Sequence, residues 1–95
     1  MLVRIVRMTF APECIENFKI LFEDSQPKIL NMPGCHKVEL YRDWNEPTVF
    51  ITYSHWDNQE ALDHYRHSDL FKGVWQRTKA MFAGKPMAFS MRQEN

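Results

Sequence analysis

The sequence predicts an α+β fold in which one antiparallel sheet of four strands carries its helices on a single face. Two observations lead to this prediction. Segments in which apolar and polar residues alternate, typical of half-buried strands, are interspersed with segments whose apolar residues recur every three or four positions, typical of amphipathic helices. Their order along the chain is strand, helix, strand, strand, helix, helix, strand, which is that of a split βαβ unit.

The first part of the chain contains one strand and one helix. Apolar and polar residues alternate over residues 2–10, which predicts a strand with one solvated face. Pro12 suits the first position of the following helix, and Gly34 marks its end. Pro27 lies inside the helical pattern, so we expect it to kink the helix or to separate a final turn near Ser25.

A hairpin and a short helix come next. Alternation from Cys35 to Asp43 and from Thr48 to Trp56 predicts two strands joined by a polar loop. Asp57 or Asn58 can cap a helix that begins directly after the second of these strands, and Asp57 and Glu60 have the spacing of a capping box.

The last segments are a helix and a strand. Ser68 is a suitable N-cap for a longer helix that ends by Gly84. Met87, Phe89 and Met91 alternate with smaller residues in a closing strand. The complete order is βαββααβ, a ferredoxin-like arrangement in a single domain of residues 1–95, with no repeat or linker.

The chain is rich in apolar and aromatic residues for its size. Hydrophobic residues make up 44% of the 95 positions, with seven Phe and three Trp. A domain this small has a thin core of its own. We therefore expect a second copy to cover part of the apolar surface, which makes the protein a homodimer.

Charge and cysteine usage exclude several classes of function. Twelve basic residues balance twelve acidic ones, so no net field attracts nucleic acid or an anionic membrane. Arg4 and Arg7 interrupt the apolar N-terminus too early for a signal peptide or a membrane span. Cys14 and Cys35 form no CxxC pair, which indicates reduced thiols and predicts a cytoplasmic location.

Motifs for metal, nucleophilic or nucleotide chemistry are weak. His64 and His67 are three residues apart but have no third ligand at a suitable spacing, so surface histidines are the favoured interpretation. No GxSxG motif occurs. The glycines stand only at positions 34, 73 and 84, which excludes a glycine-rich phosphate loop.

Aromatic residues near the junction of the last two helices predict a small-molecule pocket. Tyr65 lies on an apolar helix face but carries a hydroxyl, and the Trp75 indole is a hydrogen-bond donor. His67 lies at the junction, and its ordinary pKa of about 6.5 suits a general base. The alternative is that Tyr65 and Trp75 fill the core and His67 is solvated. The predicted walls of the pocket are Trp75, Trp56, Phe71 and Phe22.

The chain resembles the antibiotic biosynthesis monooxygenase family. The likeness rests on the order βαββααβ, on the W-x(5)-L run from Trp56 to Leu62, and on Ser68 with Phe71, and it extends to Met91. It implies a dimeric α+β barrel in which two four-stranded sheets face each other. The family includes cofactor-independent oxygenases of quinols and polyketide aromatics, and also haem-degrading enzymes.

The same resemblance argues against haem. Haem-degrading members have Trp at the position of Tyr65, a haem-ligating His at the position of Trp75, and Asn in the first strand, which contains no Asn here. His64 points about 100° away from Tyr65 around the helix and is a poor substitute. We therefore expect no cofactor and no metal.

The resemblance implies a cofactor-independent monooxygenase that acts on a small aromatic phenol or quinol with O2. In this hypothesis His67 is the base, and Tyr65 and the indoles of Trp75 or Trp56 are donors. The alternative is a non-catalytic or protective dimer that binds a small hydrophobic molecule.

Overall fold

Four strands and three helices make up the computed structural model, which describes all 95 residues. The elements in chain order are β1 (Leu2–Thr9), α1 (Ile15–Leu30), β2 (Cys35–Arg42), β3 (Val49–Trp56), α2 (Gln59–Arg66), α3 (Asp69–Lys79) and β4 (Met87–Met91). A short 3-10 turn, Pro12–Cys14, precedes α1. The strands form one antiparallel sheet in the order β2-β3-β1-β4, which confirms the predicted ferredoxin-like α+β topology.

The core lies between the sheet and the helices, in two clusters of buried side chains. Successive residues of a strand point to opposite faces, so alternate residues of each strand meet the helices. One cluster lies near the end of β1 and consists of Met8, Phe10, Phe18 and Phe50. The other lies near the end of β3 and consists of Ile29, Val38, Trp56 and Leu62. Phe22 on α1 packs against both clusters and joins them.

The opposite face of the sheet has no helix over it. Ile5 lies there, beside Tyr53 of β3 on one side and Phe89 of β4 on the other. Large apolar side chains on this face are exposed, among them Tyr41, Met87, Phe89 and Met91. Only 13 of the 95 residues are buried, so the protomer leaves much of its apolar material at the surface.

The structure decides two details of the predicted helices, the cap of α2 and the path of α1 after Pro27. Asn58, not Asp57, caps α2, with its side-chain oxygen accepting from the Ala61 N–H at 2.9 Å. Asp57 instead lies 2.5 Å from His36 Nε2, so the predicted capping box is wrong. The predicted separate turn after Pro27 is also wrong, since α1 continues to Leu30. None of the three helices combines the length and hydropathy needed to cross a membrane.

Gly34 connects α1 to the sheet in a conformation that favours glycine. Its φ is +80°, and its carbonyl accepts from the Asp57 N–H at 2.8 Å. A Cβ at this position would lie 2.6 Å from the Ala61 Cβ. Both the backbone conformation and the close approach of α2 therefore require the absence of a side chain.

Gly34→Ala is expected to lower the free energy of unfolding by about 2 kcal/mol or more, because the left-handed conformation and the clash with Ala61 both oppose the new methyl group. Gly73→Ala is the matched control, since nothing lies within 4 Å of its Cβ position. Inside α3, alanine should stabilise by about 0.5–1 kcal/mol. Urea unfolding measures both variants, and equal midpoints would contradict the role assigned to Gly34.

Candidate functional site

A cavity of about 230 Å³ lies between the helix-covered face of the sheet and the three helices. Fourteen of its 20 lining residues are hydrophobic, so the cavity suits an apolar ligand. Every strand and every helix contributes to it. The lining residues are Arg4, Val6, Met8, Phe18, Leu21, Phe22, Ser25, Ile29, Val38, Thr52, Ser54, Trp56, Leu62, Tyr65, Arg66, Phe71, Val74, Trp75, Thr78 and Ala88.

A continuous series of aromatic rings forms one wall of the cavity. The Tyr65 ring stacks on Trp56 with centroids 4.9 Å apart and meets Phe71 edge-on at 5.2 Å. Phe71 in turn stacks on Trp75 at 5.9 Å. The four rings, with Phe22 of α1 also in the lining, are the residues that the sequence predicted for a pocket, and the fold brings them together.

Ser68 fixes the junction that positions these rings. Its hydroxyl donates to the Tyr65 carbonyl at 2.6 Å and accepts from the Phe71 N–H at 3.1 Å. It is the N-cap of α3, as predicted, and it also closes the last turn of α2. One hydroxyl therefore sets the angle between the two helices, and with it the relative placement of Tyr65 and Phe71.

Tyr65 is a neutral donor in this environment. Burial, with a smaller contribution from the nearby Cys35, raises the pKa of the Tyr65 phenol far above its ordinary value. Every fully buried side-chain polar atom has a hydrogen-bond partner. The Tyr65 hydroxyl makes no hydrogen bond within the protein, so it is open to the cavity and can donate to a bound molecule.

Several other polar groups in the wall are hydrogen-bonded within the protein. Ser25 Oγ donates to the Leu21 carbonyl and Thr78 Oγ1 to the Val74 carbonyl, each at 2.7 Å. The Trp56 indole, expected to be available to a substrate, instead donates to Ser54 Oγ at 3.0 Å. Trp56 therefore serves as a wall, and the neutral donors that make no hydrogen bond within the protein include the Tyr65 and Thr52 hydroxyls and the Trp75 indole.

His67 does not line the cavity. Its side chain is exposed, and its Nδ1 lies 2.7 Å from the carbonyl oxygen of Asp63. His67 is the C-cap of α2, where its backbone N–H also bonds that carbonyl. The ring completes the end of the helix instead of pointing inward, so the geometry gives no support to the base role expected for it.

Two arginines that the sequence analysis did not single out also line the cavity. Arg4 lies on β1 and Arg66 at the end of α2, and no carboxylate or imidazole lines the cavity with them. For Arg4, the sequence pattern does indicate this position. Arg4 has the same parity as Val6 and Met8 on β1, so the alternation places it on the helix-covered face.

The arrangement offers no ordinary metal site. No three His, Cys, Asp or Glu side chains come together anywhere in the structure. The cavity is therefore equipped to bind a ring by stacking and apolar contact, to donate hydrogen bonds from neutral groups, and to attract negative charge through its arginines.

Tyr65→Phe is expected to leave stability at neutral pH nearly unchanged and to weaken its decline in alkali. Above about pH 10 the unfolded chain loses the phenolic proton while the folded protein retains it, because the folded pKa is raised. Wild-type stability therefore falls as pH rises, and the variant loses this contribution. Denaturant unfolding over about pH 8 to 11 tests the prediction, and equal slopes for both proteins would contradict it.

Comparison with solved structures places the fold among known ones. A crystal structure described as an antibiotic biosynthesis monooxygenase aligns with a TM-score of 0.92 at 22% identity, covering 100% of both chains. A conserved protein from Methanosarcina mazei Go1 aligns at 0.91 and 20% identity, covering 99% of this chain and 94% of its own. Rv0793 from Mycobacterium tuberculosis aligns at 0.89 and 14% identity, covering 99% and 95%.

The family itself is established from the sequence match. No curated protein matches the chain. Residues 1–77 match the family model described as antibiotic biosynthesis monooxygenase. This match covers α1, α2, all but the last two residues of α3, and every strand except β4, whose place in the sheet the solved structures support. The chain therefore belongs to the antibiotic biosynthesis monooxygenase family.

Proposed function

We propose that the protein is a cofactor-independent monooxygenase that oxidises a small aromatic phenol or quinol with O2 as co-substrate. Family membership supports the reaction class. The observation that carries the substrate class is the apolar cavity with its wall of stacked rings from Trp56 to Trp75. Aromatic rings pack favourably against such a wall in offset or edge-on geometry.

The cavity volume suits one aromatic ring with small substituents. A dry apolar cavity of about 150 Å³ holds benzene. The cavity of about 230 Å³ adds room for hydroxyl, methyl or carboxyl groups.

The reaction needs no cofactor because an ionised phenol can itself donate electrons to oxygen. A ring carbon of the phenolate forms a bond to one oxygen atom, and loss of water from the resulting hydroperoxide leaves a carbonyl group. Phenol and O2 thus give quinone and water. In this proposal the protein holds the ring, excludes bulk water and donates hydrogen bonds to the oxyanion, and the donors are the Tyr65 hydroxyl and the Trp75 indole of the cavity lining.

A second candidate is a dimer that binds a small hydrophobic molecule without transforming it. The observation that favours it is the lack of a carboxylate or imidazole in the cavity lining, which leaves no ordinary general base. The two candidates share the ligand and differ in turnover, so binding and oxygen consumption must be measured separately.

The purified, metal-free protein is expected to raise oxygen uptake above the spontaneous rate with at least one single-ring phenol or quinol. Tyr65→Phe should lower kcat at least about tenfold, because it removes a donor to the oxyanion and keeps the ring. Trp44→Phe is the control for an aromatic substitution elsewhere, since Trp44 is exposed in the loop between β2 and β3 and does not line the cavity. An oxygen electrode gives the rates. Ligand binding without any oxygen uptake would instead favour the binding module.

The dimer follows from the uncovered face of the sheet, and we propose that a second copy of the chain covers it. Tyr41, Phe89 and Met91 are exposed there on a broad apolar surface. The protomer exposes 6323 Å², about a tenth more than the roughly 5800 Å² typical of a monomer of this mass. Two such faces packed together make an isologous interface and the barrel that the family resemblance implies.

Phe89→Arg is expected to convert the dimer to a folded monomer of 11.4 kDa, because it places a charge on the covered face, next to Ile5 of β1. Ile20→Arg is the matched control, since Ile20 is an exposed apolar residue on α1, away from the sheet. Sedimentation equilibrium measures mass, and circular dichroism checks folding. A wild-type protein that sediments at 11.4 kDa at micromolar concentration would refute the proposed dimer.

A further inference from the structure

Two guanidinium groups are the only charged side chains that line the cavity. Arg4 lies on β1 between Ser54 of β3 and Ser90 of β4, and Arg66 lies in the last turn of α2. Neither forms an ion pair, since the salt bridges of the protein all join other residues. One end of an otherwise apolar cavity is therefore positively charged, and no carboxylate of the protein is paired with that charge.

The two arginines line the same cavity, and the charge of each disfavours the charge of the other. The pKa of Arg4 is lowered, chiefly by burial and then by the charge of Arg66. Asp63 acts in the opposite sense, but its carboxylate accepts a hydrogen bond from Gln59 Nε2 at 2.8 Å and does not line the cavity. An anion bound between the guanidinium groups would relieve this repulsion, and the apolar walls would strengthen the attraction.

The geometry of Arg4 favours recognition of a planar oxyanion. Its Nη1 donates to Ser90 Oγ at 3.1 Å, which fixes the orientation of the guanidinium and leaves further N–H groups free. Arg66 is exposed to solvent and also lines the cavity, so the cavity opens at this end. A guanidinium presents paired donors that match the oxygens of a carboxylate or the oxygen of a phenolate.

We propose that the cavity binds its ligand as a single-ring aromatic oxyanion, with the charged oxygen between Arg4 and Arg66 and the ring against the aromatic wall. The binding preference stands without the proposed oxygenase activity; only the identification of this anion as the substrate rests on that function. The oxyanion is either a carboxylate on the ring or the ionised ring oxygen of an acidic phenol.

This assignment also accounts for a reaction without a base in the cavity. A substrate that enters as its phenolate has already lost its proton to solvent, and the two positive charges favour that form over the neutral phenol. His67, on the outside of α2, is then not needed for proton removal. Neutral Tyr65 remains a donor to the same oxyanion or to the one that develops on O2.

Calorimetric titration with paired probes tests the proposal. Benzoate against benzamide compares a ring carboxylate with its neutral analogue, and 4-nitrophenolate against 4-nitroanisole does the same for a ring oxygen. At least one anion is expected to bind about tenfold or more tightly than its neutral partner, with the preference falling as salt concentration rises. Arg66→Gln should remove most of that preference, and Arg66→Lys should restore part of it.

Arg77→Gln is the matched control, because it removes the same charge from an exposed position in the last turn of α3 that does not line the cavity. Arg4→Gln is the second test variant and should also reduce the preference for the anion. Thermal unfolding verifies that this variant is folded. Equal affinity for anion and neutral analogue, equal effects of Arg66→Gln and Arg77→Gln, or no binding of either anion at millimolar concentration would each overturn the proposal. A preference for the anion without any oxygen uptake would instead contradict the proposed oxygenase function and would still support this inference.

Discussion

The candidate site depends most directly on the two hydrogen bonds of the Ser68 hydroxyl. It bonds the carbonyl of Tyr65 and the N–H of Phe71, so it closes one helix and opens the next with a single atom. An N-cap of this kind contributes about 1 kcal/mol to stability. Its structural effect is larger than that energy indicates, because the junction sets how Tyr65 bridges the Trp56 ring to the Phe71 ring. The arrangement of the cavity wall therefore depends on two local hydrogen bonds between one side-chain hydroxyl and the backbone.

The cavity also sets the shape of the core. Two buried clusters flank it, and Phe22 spans the distance between them. Larger side chains at Val74 or Ala88 would fill the space, so the small side chains at these two positions help to keep the cavity between the clusters.

The sequence predicted the elements and the ring wall well, because strand and helix periodicity determine which side chains face inward. Phe22, Trp56 and Trp75 were placed by that reasoning alone. It could not choose between Asp57 and Asn58 as the cap of α2, because either residue type can cap a helix, and the structure shows that Asn58 does so. His67 was misjudged because a residue at the end of a helix can turn its ring back on the last carbonyls. Arg66 was missed because only the packed helix pair shows which surface side chains reach the cavity.

The two faces of β4 have separate tasks. Ala88 lines the cavity and Ser90 holds Arg4, whereas Met87, Phe89 and Met91 lie on the uncovered side of the sheet. Side chains alternate along a strand, so deleting or inserting one residue before Met87 would exchange the two sets. Bulky side chains would then face the cavity, and small ones would lie on the uncovered face. The register of β4 therefore determines both surfaces at once, and we expect length changes in the preceding turn to be tolerated far less than substitutions there.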